Sequence, residues 1–218
     1  MKVCTDACLF GSISPALPSR DLRVLDIGTG TGLLSLMYAQ RYPQAMFDAV
    51  EIDSSASAQA VGNFAASSWS DRLKVYNSSI QEFKSAYQYD VIISNPPFFD
   101  NDLKSNDDKR NLALHSKALS LDELVASIDR LLKPDGCFGV LLPYHRTEYF
   151  EKLATTNSFY LSQKILVKQS PTHNYFRGIL FFTRTEDLVI EREIVIQDNS
   201  KKYTQEFTEL LKDYYLYL

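Results

Sequence analysis

Short apolar runs alternate along this chain with longer stretches whose apolar residues recur every three or four positions. Arg23-Val24-Leu25-Asp26-Ile27, Met46 to Asp53, Arg72 to Tyr76 and Asp90-Val91-Ile92-Ile93-Ser94 read as four strands, the last of them buried. Helical spacing follows the first strand at Leu33, Leu36, Met37 and Gln40, and follows the second from Ser54 to about Ser68. Ser120 with Glu123 makes a capping box for a helix whose face is Leu121, Leu124, Val125, Ile128, Leu131 and Leu132. Pro134-Asp135-Gly136 is expected to end that helix, with Cys137 to Leu142 as a fifth strand stopped by Pro143. After a helix over 145–156, Phe159 to Val167 and Tyr175 to Thr183 read as two antiparallel strands closing the sheet. Ile190 to Ile196 reads as an extra edge strand, and Tyr203, Phe207, Leu210, Leu211 and Tyr214 as an amphipathic helix. Near the start, Thr5 and Asp6 are expected to cap the apolar segment Ala7 to Ile13, and Pro15 and Pro18 make a surface connection.

Strands alternating with helices in this order predict an α/β fold, and its first turn is Gly28-Thr29-Gly30-Thr31-Gly32. A nicotinamide fingerprint wants glycine at position 33, where Leu33 stands. The G-x-G-x-G spacing instead fits S-adenosylmethionine, whose amino-acid moiety the backbone can approach closely at glycine. Glu51 lies 23 residues after Gly28, where a strand-end acid can take both hydroxyls of a ribose; Asp53 fits a helix cap better. The turn Ser78-Ser79-Ile80-Gln81 after the third strand faces the position of an adenine ring.

Asn95-Pro96-Pro97-Phe98-Phe99 ends the fourth strand. The prolines stop it and hold Asn95 extended at the carboxyl end, where open α/β sheets place their chemistry. The Asn95 side-chain oxygen and a neighbouring carbonyl can each accept an N–H of a flat, amine-bearing substrate, with Phe98 stacked on its ring. Two further segments bear on substrate. Residues 100–118 form a charged loop, expected as a lid or a substrate contact. The connection Lys168-Gln169-Ser170-Pro171-Thr172-His173-Asn174, with Lys164, Arg177 and Arg184 nearby, is the most basic region of an acidic chain. It reads either as a nucleic-acid contact or as a solvated hairpin.

Composition narrows the class. Hydrophobic content of 45% and charged content of 23% are those of a soluble globular protein, and 218 residues suffice for one domain with embellishments. No run is long enough to span a membrane and no signal peptide is apparent. Cys4, Cys8 and Cys137 form no metal or disulfide framework, so a reduced cytoplasmic chain without metal is expected. A net charge of −4 gives no global attraction to nucleic acid, so any such partner needs a local basic patch. The three histidines show no catalytic arrangement.

Asp26 to Gly32, Glu51 and Asn95 to Phe99, in this order, resemble class I S-adenosylmethionine-dependent N-methyltransferases with an Asn-Pro-Pro-aromatic motif. The chain more specifically resembles the family that methylates N6 of adenine-37, beside the anticodon of tRNA1(Val). Matching stretches are Met1-Lys2-Val3 with Thr5-Asp6 and Leu9-Phe10-Gly11, Leu25 to Leu36, Glu51-Ile52-Asp53 with Gln59-Ala60 and Asn63, and Asn95 to Phe99. The resemblance implies a Rossmann-like, seven-stranded sheet with helices on both faces and an antiparallel last strand, over residues 1–185. Residues 186–218 are then a C-terminal extension packed on the same domain. It further implies cofactor contacts at Thr5, Asp26, Gly28, Gly30, Gly32, Glu51, Ile52, Ser79, Ile80 and Asn95. Catalytic roles fall to Asn95, Pro96, Pro97 and Phe98, and tRNA contacts to Phe99, Lys168, His173 and Arg177. Family members tend to carry an acid where Ser79 stands, so here a hydroxyl, Gln81 or backbone groups must read the cofactor's adenine. They also usually begin upstream of Met1-Lys2-Val3, so this start reads as internal to a longer chain, with a substrate-facing segment missing. Two rivals stand: a protein glutamine N5-methyltransferase, which usually adds an N-terminal helical domain, and a non-catalytic cofactor-binding partner subunit. DNA adenine methyltransferases usually carry a separate recognition domain, which residues 100–218 do not clearly provide.

Overall fold

The computed structural model describes residues 4–15, 21–97 and 119–217. Its strands are β1 (Arg23–Ile27), β2 (Met46–Glu51), β3 (Leu73–Asn77), β4 (Tyr89–Ser94), β5 (Leu132–Pro143), β6 (Tyr160–Lys168), β7 (Tyr175–Thr183) and β8 (Ile190–Val195). They form one sheet in the order β3-β2-β1-β4-β5-β7-β6-β8. β7 runs antiparallel between β5 and β6, and β8 lies parallel to β6 at the edge. The seven-stranded sheet is therefore present with its antiparallel seventh strand, and the expected edge strand makes an eighth.

The helices are α1 (Thr5–Ser12), α2 (Leu33–Arg41), α3 (Ser54–Ala65), α4 (Leu121–Leu131), α5 (Tyr144–Thr156) and α6 (Gln205–Leu211). Alternate strand residues feed two cores, because successive side chains point to opposite faces. Val24, Val91 and Ile93 pack with Phe10 of α1, Tyr38 of α2, Phe64 of α3, and Phe207 and Leu211 of α6. Leu25, Ile27 and Ile92 pack on the other face with Leu124, Val125 and Ile128 of α4 and Phe150 of α5. Both faces are covered, which is why the central strands read as continuous apolar runs.

Three expectations need correction. Neither Thr5 nor Asp6 caps α1: Cys4 holds the cap position without a side-chain bond, and the Asp6 carboxylate receives the Arg177 guanidinium Nε at 2.7 Å. α3 ends at Ala65, where the chain turns on the Ser67 hydroxyl donating to the Phe64 carbonyl at 2.8 Å. Pro134-Asp135-Gly136 does not separate α4 from β5, because β5 begins directly at Leu132, which pairs with Tyr89. A shift of register between Tyr89 and Val91 absorbs the extra residues. Gly136 permits this: a Cβ there would lie 3.0 Å from the Asp90 carbonyl.

Candidate active site

Parallel strands β1 and β4 are neighbours although distant in sequence, so the sheet reverses its winding order between them. Ligands of open α/β sheets lie in the crevice at such a point. Ile27 pairs with Ser94, and the Ser94 hydroxyl donates to the Ile27 carbonyl at 2.9 Å. The residues that follow this locked pair are Gly28 and Asn95. The glycine turn and the Asn-Pro-Pro turn thus leave the sheet side by side.

Gly28, Gly30 and Gly32 have φ of 71°, 58° and 90°, left-handed values that L side chains rarely adopt. Added Cβ atoms would meet nothing within 4 Å at Gly28 but would collide with the Phe64 ring at 2.4 Å at Gly32. Gly28 therefore borders open space, while Gly32 allows α2 and α3 to close up. The turn is anchored by Gly28 N–H to the Val50 carbonyl at 2.9 Å and by the Asn63 amide to the Thr31 carbonyl at 2.8 Å.

Two carboxylates frame the turn. Asp26 is fully buried, and its Oδ2 accepts from the Thr29 hydroxyl at 2.6 Å and the Ser35 hydroxyl at 2.8 Å. Its Oδ1 is buried and has no hydrogen-bond partner among the described residues. Burial pushes the carboxyl up to about 6, against the lowering pull of the two hydroxyls. A buried carboxylate oxygen lacking a donor is costly, so Asp26 offers a seat for a cationic or N–H donor. Glu51, at the end of β2, is 9% exposed. Its Oε2 accepts from Gly30 N–H at 2.8 Å and its Oε1 from Asp53 N–H at 2.9 Å. Each oxygen keeps a further acceptor position, so Glu51 can fix the turn and still receive a pair of hydroxyls. Asp53 caps α3, accepting from Ala56 N–H at 2.8 Å.

Beside Glu51, Ile52 is 53% exposed and presents an apolar surface, whereas Ile80 is 4% exposed and packs into the core. Ile52 thus offers an exposed apolar surface beside Glu51, and Ile80 supports the turn from within the core. The half-buried Ser79 hydroxyl lies 3.2 Å from Glu82 Oε2 and accepts from Glu82 N–H at 3.3 Å. An acid does stand at this turn, three residues on. The Ser-x-x-Glu spacing of a capping box was the signal for it.

Asn95 is half-buried and its carboxamide bonds to none of the described residues; Pro96 is buried and Pro97 exposed. Phe98, Phe99 and the loop 100–118 lie outside the described residues. Thr5, half-buried at the start of α1, is drawn to the carboxyl end of the sheet by the adjacent Asp6–Arg177 pair.

The basic hairpin has a different character from its sequence. Lys164 pairs with Glu151 at 2.7 Å, Lys168 with Glu193 at 2.8 Å, Arg177 with Asp6 at 2.7 Å and Arg184 with Asp129 at 2.8 Å. Each cation is offset by a carboxylate from elsewhere in the chain. His173 is exposed, its Nδ1 2.6 Å from the Ser170 hydroxyl. Among the described residues no group of three His, Cys, Asp or Glu side chains is arranged to hold a metal ion, and no helix is long and apolar enough to cross a membrane.

Comparison with known proteins now bears on this geometry. Residues 13–141 match the family model of the methyltransferase small domain. A tRNA1(Val) (adenine(37)-N6)-methyltransferase of Dyadobacter fermentans is 43% identical, over 99% of this chain and 91% of its own length. The protein of the same description from Pseudoalteromonas translucida is 39% identical, over 99% of this chain and 92% of its own. The chain belongs to this methyltransferase family. Among solved structures, a predicted O-methyltransferase of Agrobacterium tumefaciens superimposes with a TM-score of 0.72 at 13% identity, covering 95% of each chain. A ribosomal protein L11 methylase of Lactobacillus delbrueckii gives 0.57 at 18% identity, covering 82% of this chain and 77% of its own. At such identities the likeness speaks for the fold alone. Family membership makes the chain an enzyme of methyl transfer.

Proposed function

We propose that the enzyme transfers a methyl group from S-adenosylmethionine to the exocyclic N6 of an adenine in tRNA, adenine-37 beside the anticodon of tRNA1(Val), in the cytoplasm. The observation that carries this is the pairing of Ile27 with Ser94, which sets the glycine turn and Asn95-Pro96 side by side at the sheet's carboxyl end.

The residues present suit this cofactor. Asp26 Oδ1 lacks a partner and suits an ammonium, the open space at Gly28 suits the amino-acid moiety, and Glu51 suits the ribose hydroxyls. Ile52 suits a face of the adenine, with Ser79 and Glu82 at its edge. When bound, S-adenosylmethionine supplies an electrophilic sulfonium methyl group.

The protein's own part is to prepare the acceptor. The lone pair of an adenine amine is delocalised into the ring, so the amine is a poor nucleophile. Asn95 Oδ1 and the Pro96 carbonyl each accept one of its N–H bonds, which favours a pyramidal nitrogen whose lone pair is freed from the ring π system and can attack the methyl group. As the nitrogen gains a methyl group it gains positive charge, and both acceptors then bind its hydrogens more strongly. This is stabilisation of the transition state over the ground state. The two prolines fix the backbone that carries both acceptors before substrate arrives, which lowers the ordering still to be done. No strong base is needed before transfer: the proton becomes acidic only once the nitrogen is charged, and it then passes from the Asn95 and Pro96 acceptors to solvent water. Phe98 stacks on the target base, which an anticodon loop presents already unpaired.

Asp26 makes cofactor affinity depend on pH. The Asp26 carboxyl, raised to about 6 by burial, takes up a proton near that pH, and pairing with an ammonium favours its ionised form. Binding therefore releases that proton, and the dissociation constant is expected to rise by about tenfold per pH unit below pH ~6. The sign for stability is opposite. With its folded value raised above the unfolded one, Asp26 favours the ligand-free fold more as pH falls from ~7 to ~4. Calorimetric titration across this range checks the first point, and Asp26→Asn should flatten the profile. An unaltered profile in that variant would remove Asp26 from the cofactor site.

Incubation with labelled S-adenosylmethionine and a mixture of total tRNA and cell protein tests the acceptor class. Label is expected in the RNA fraction. Label in protein would favour glutamine methylation, and cofactor binding without any label would favour a non-catalytic subunit.

A further inference from the structure

Where β5 passes into α5, a group of exposed aromatic and cationic side chains stands outside the machinery described above. Val140 pairs with Ser94 and Pro143 with Arg177, so Tyr144 leaves the sheet at the same end as Asn95. It lies one strand beyond Asn95, on the side away from the glycine turn. Tyr144 is 41% exposed, and its ring packs 5.2 Å from that of Tyr175 on the β6–β7 hairpin. One turn along α5, the Arg146 guanidinium lies 5.5 Å over the Tyr149 ring, itself 49% exposed and hydrogen-bonded to Asp122 at 3.3 Å. Lys168 and Arg177 at this end are held by Glu193 and Asp6, whereas Arg146 pairs with no carboxylate among the described residues.

Fold stability does not account for this arrangement. Tyr144 and Arg146 bury little surface, and the core beneath α5 is supplied by Phe150 and Ala154. An exposed guanidinium stacked on Tyr149, with no carboxylate partner among the described residues, starts the same helix as the exposed Tyr144 ring. Single-stranded RNA binds such groups, phosphate on the cation and base face on the ring. In a chain with a net charge of −4, attraction to RNA must come from such a local group.

We propose that Tyr144, Arg146 and Tyr175 form the docking surface for the RNA nucleotides flanking the target base. Arg146 takes a phosphate and the exposed Tyr144 ring takes an unpaired base. Tyr175, itself covered by Lys168, backs the Tyr144 ring, and Tyr149 holds the guanidinium in place. The proposal rests on the RNA reading above. It moves the RNA contact from the compensated cations of the hairpin to the start of α5.

The test is binding of a fluorescent anticodon stem-loop RNA to the full chain over a series of salt concentrations, alongside steady-state methylation of the same RNA. Arg146→Ala is expected to weaken binding about fivefold or more and to reduce the slope of log affinity against log salt by about one. Tyr144→Ala is expected to weaken binding about tenfold, with Tyr144→Phe close to wild type, because the ring and not the hydroxyl does the stacking. The loss should fall in KM for RNA more than in kcat, with melting temperatures held as a check on folding. If the wild type binds and methylates RNA while both alanine variants keep its affinity, slope and KM, the docking surface is overturned and the RNA reading stands. If the wild type neither binds nor methylates RNA, the RNA reading fails and the docking surface fails with it.

Discussion

Asn95→Ala is expected to lower kcat by about 10²–10³-fold, the range seen when one preorganised hydrogen-bonding group at a reacting centre is removed. The loss should appear in kcat because the bond to Asn95 Oδ1 strengthens as the amine nitrogen becomes positive, while ground-state binding changes little. Cofactor affinity should stay within a few-fold, since Asp26 and Glu51 lie on β1 and β2 and do not touch Asn95. Folding should be unaffected, because the carboxamide bonds to none of the described residues and Ser94 keeps β4 locked to β1. Asn95→Asp separates geometry from chemistry, since it keeps the acceptor oxygen in place while replacing the NH2 with a second oxygen and adding a charge. Single-turnover rates with saturating cofactor provide the measurement, and a fully active alanine variant would remove Asn95 from the mechanism.

The second large effect concerns Glu51. Glu51→Ala is expected to weaken cofactor binding by about 10²-fold or more, on the basis of roughly 1.5–3 kcal/mol for each hydrogen bond to a charged group. Glu51→Gln should fare little better, for a reason specific to this site. Both carboxylate oxygens already accept from backbone N–H groups, those of Gly30 and Asp53. A glutamine must set its own NH2 against one of these donors, so the substitution turns an attraction into a repulsion. Calorimetric affinity for the cofactor, with thermal melting of the free protein, checks both variants. A Glu51→Gln variant that binds as the wild type does would show that the carboxylate is not held in this way.

Local rules carried much of the fold because its strands and turns are dictated locally. Tyr175 to Thr183 was readable to the residue as β7, and Ser120 with Glu123 forms the expected capping box in both directions. Pro134 misled because proline and glycine usually interrupt an element. Whether the strand resumes at once depends on the register against β4, which no local pattern contains. Charge failed similarly. Lys168, Arg177 and Arg184 look uncompensated along the chain because their partners, Glu193, Asp6 and Asp129, are brought to them only by folding. Of the candidate site, Glu51 stood out by its distance from the glycine turn, but its hold on Gly30 did not, since that bond joins the turn after β1 to the end of β2 and depends on the pairing of the two strands. The unpaired Oδ1 of Asp26 is visible only once burial is known.

The most direct measurement of the central claim is digestion to nucleosides of tRNA1(Val) methylated by the enzyme, with the labelled position mapped by mass spectrometry of nuclease fragments. N6-methyladenosine confined to position 37, and lost when that adenine is replaced by guanine, is the predicted result. Methyl groups on another nucleoside, or at adenines other than that beside the anticodon, would contradict it.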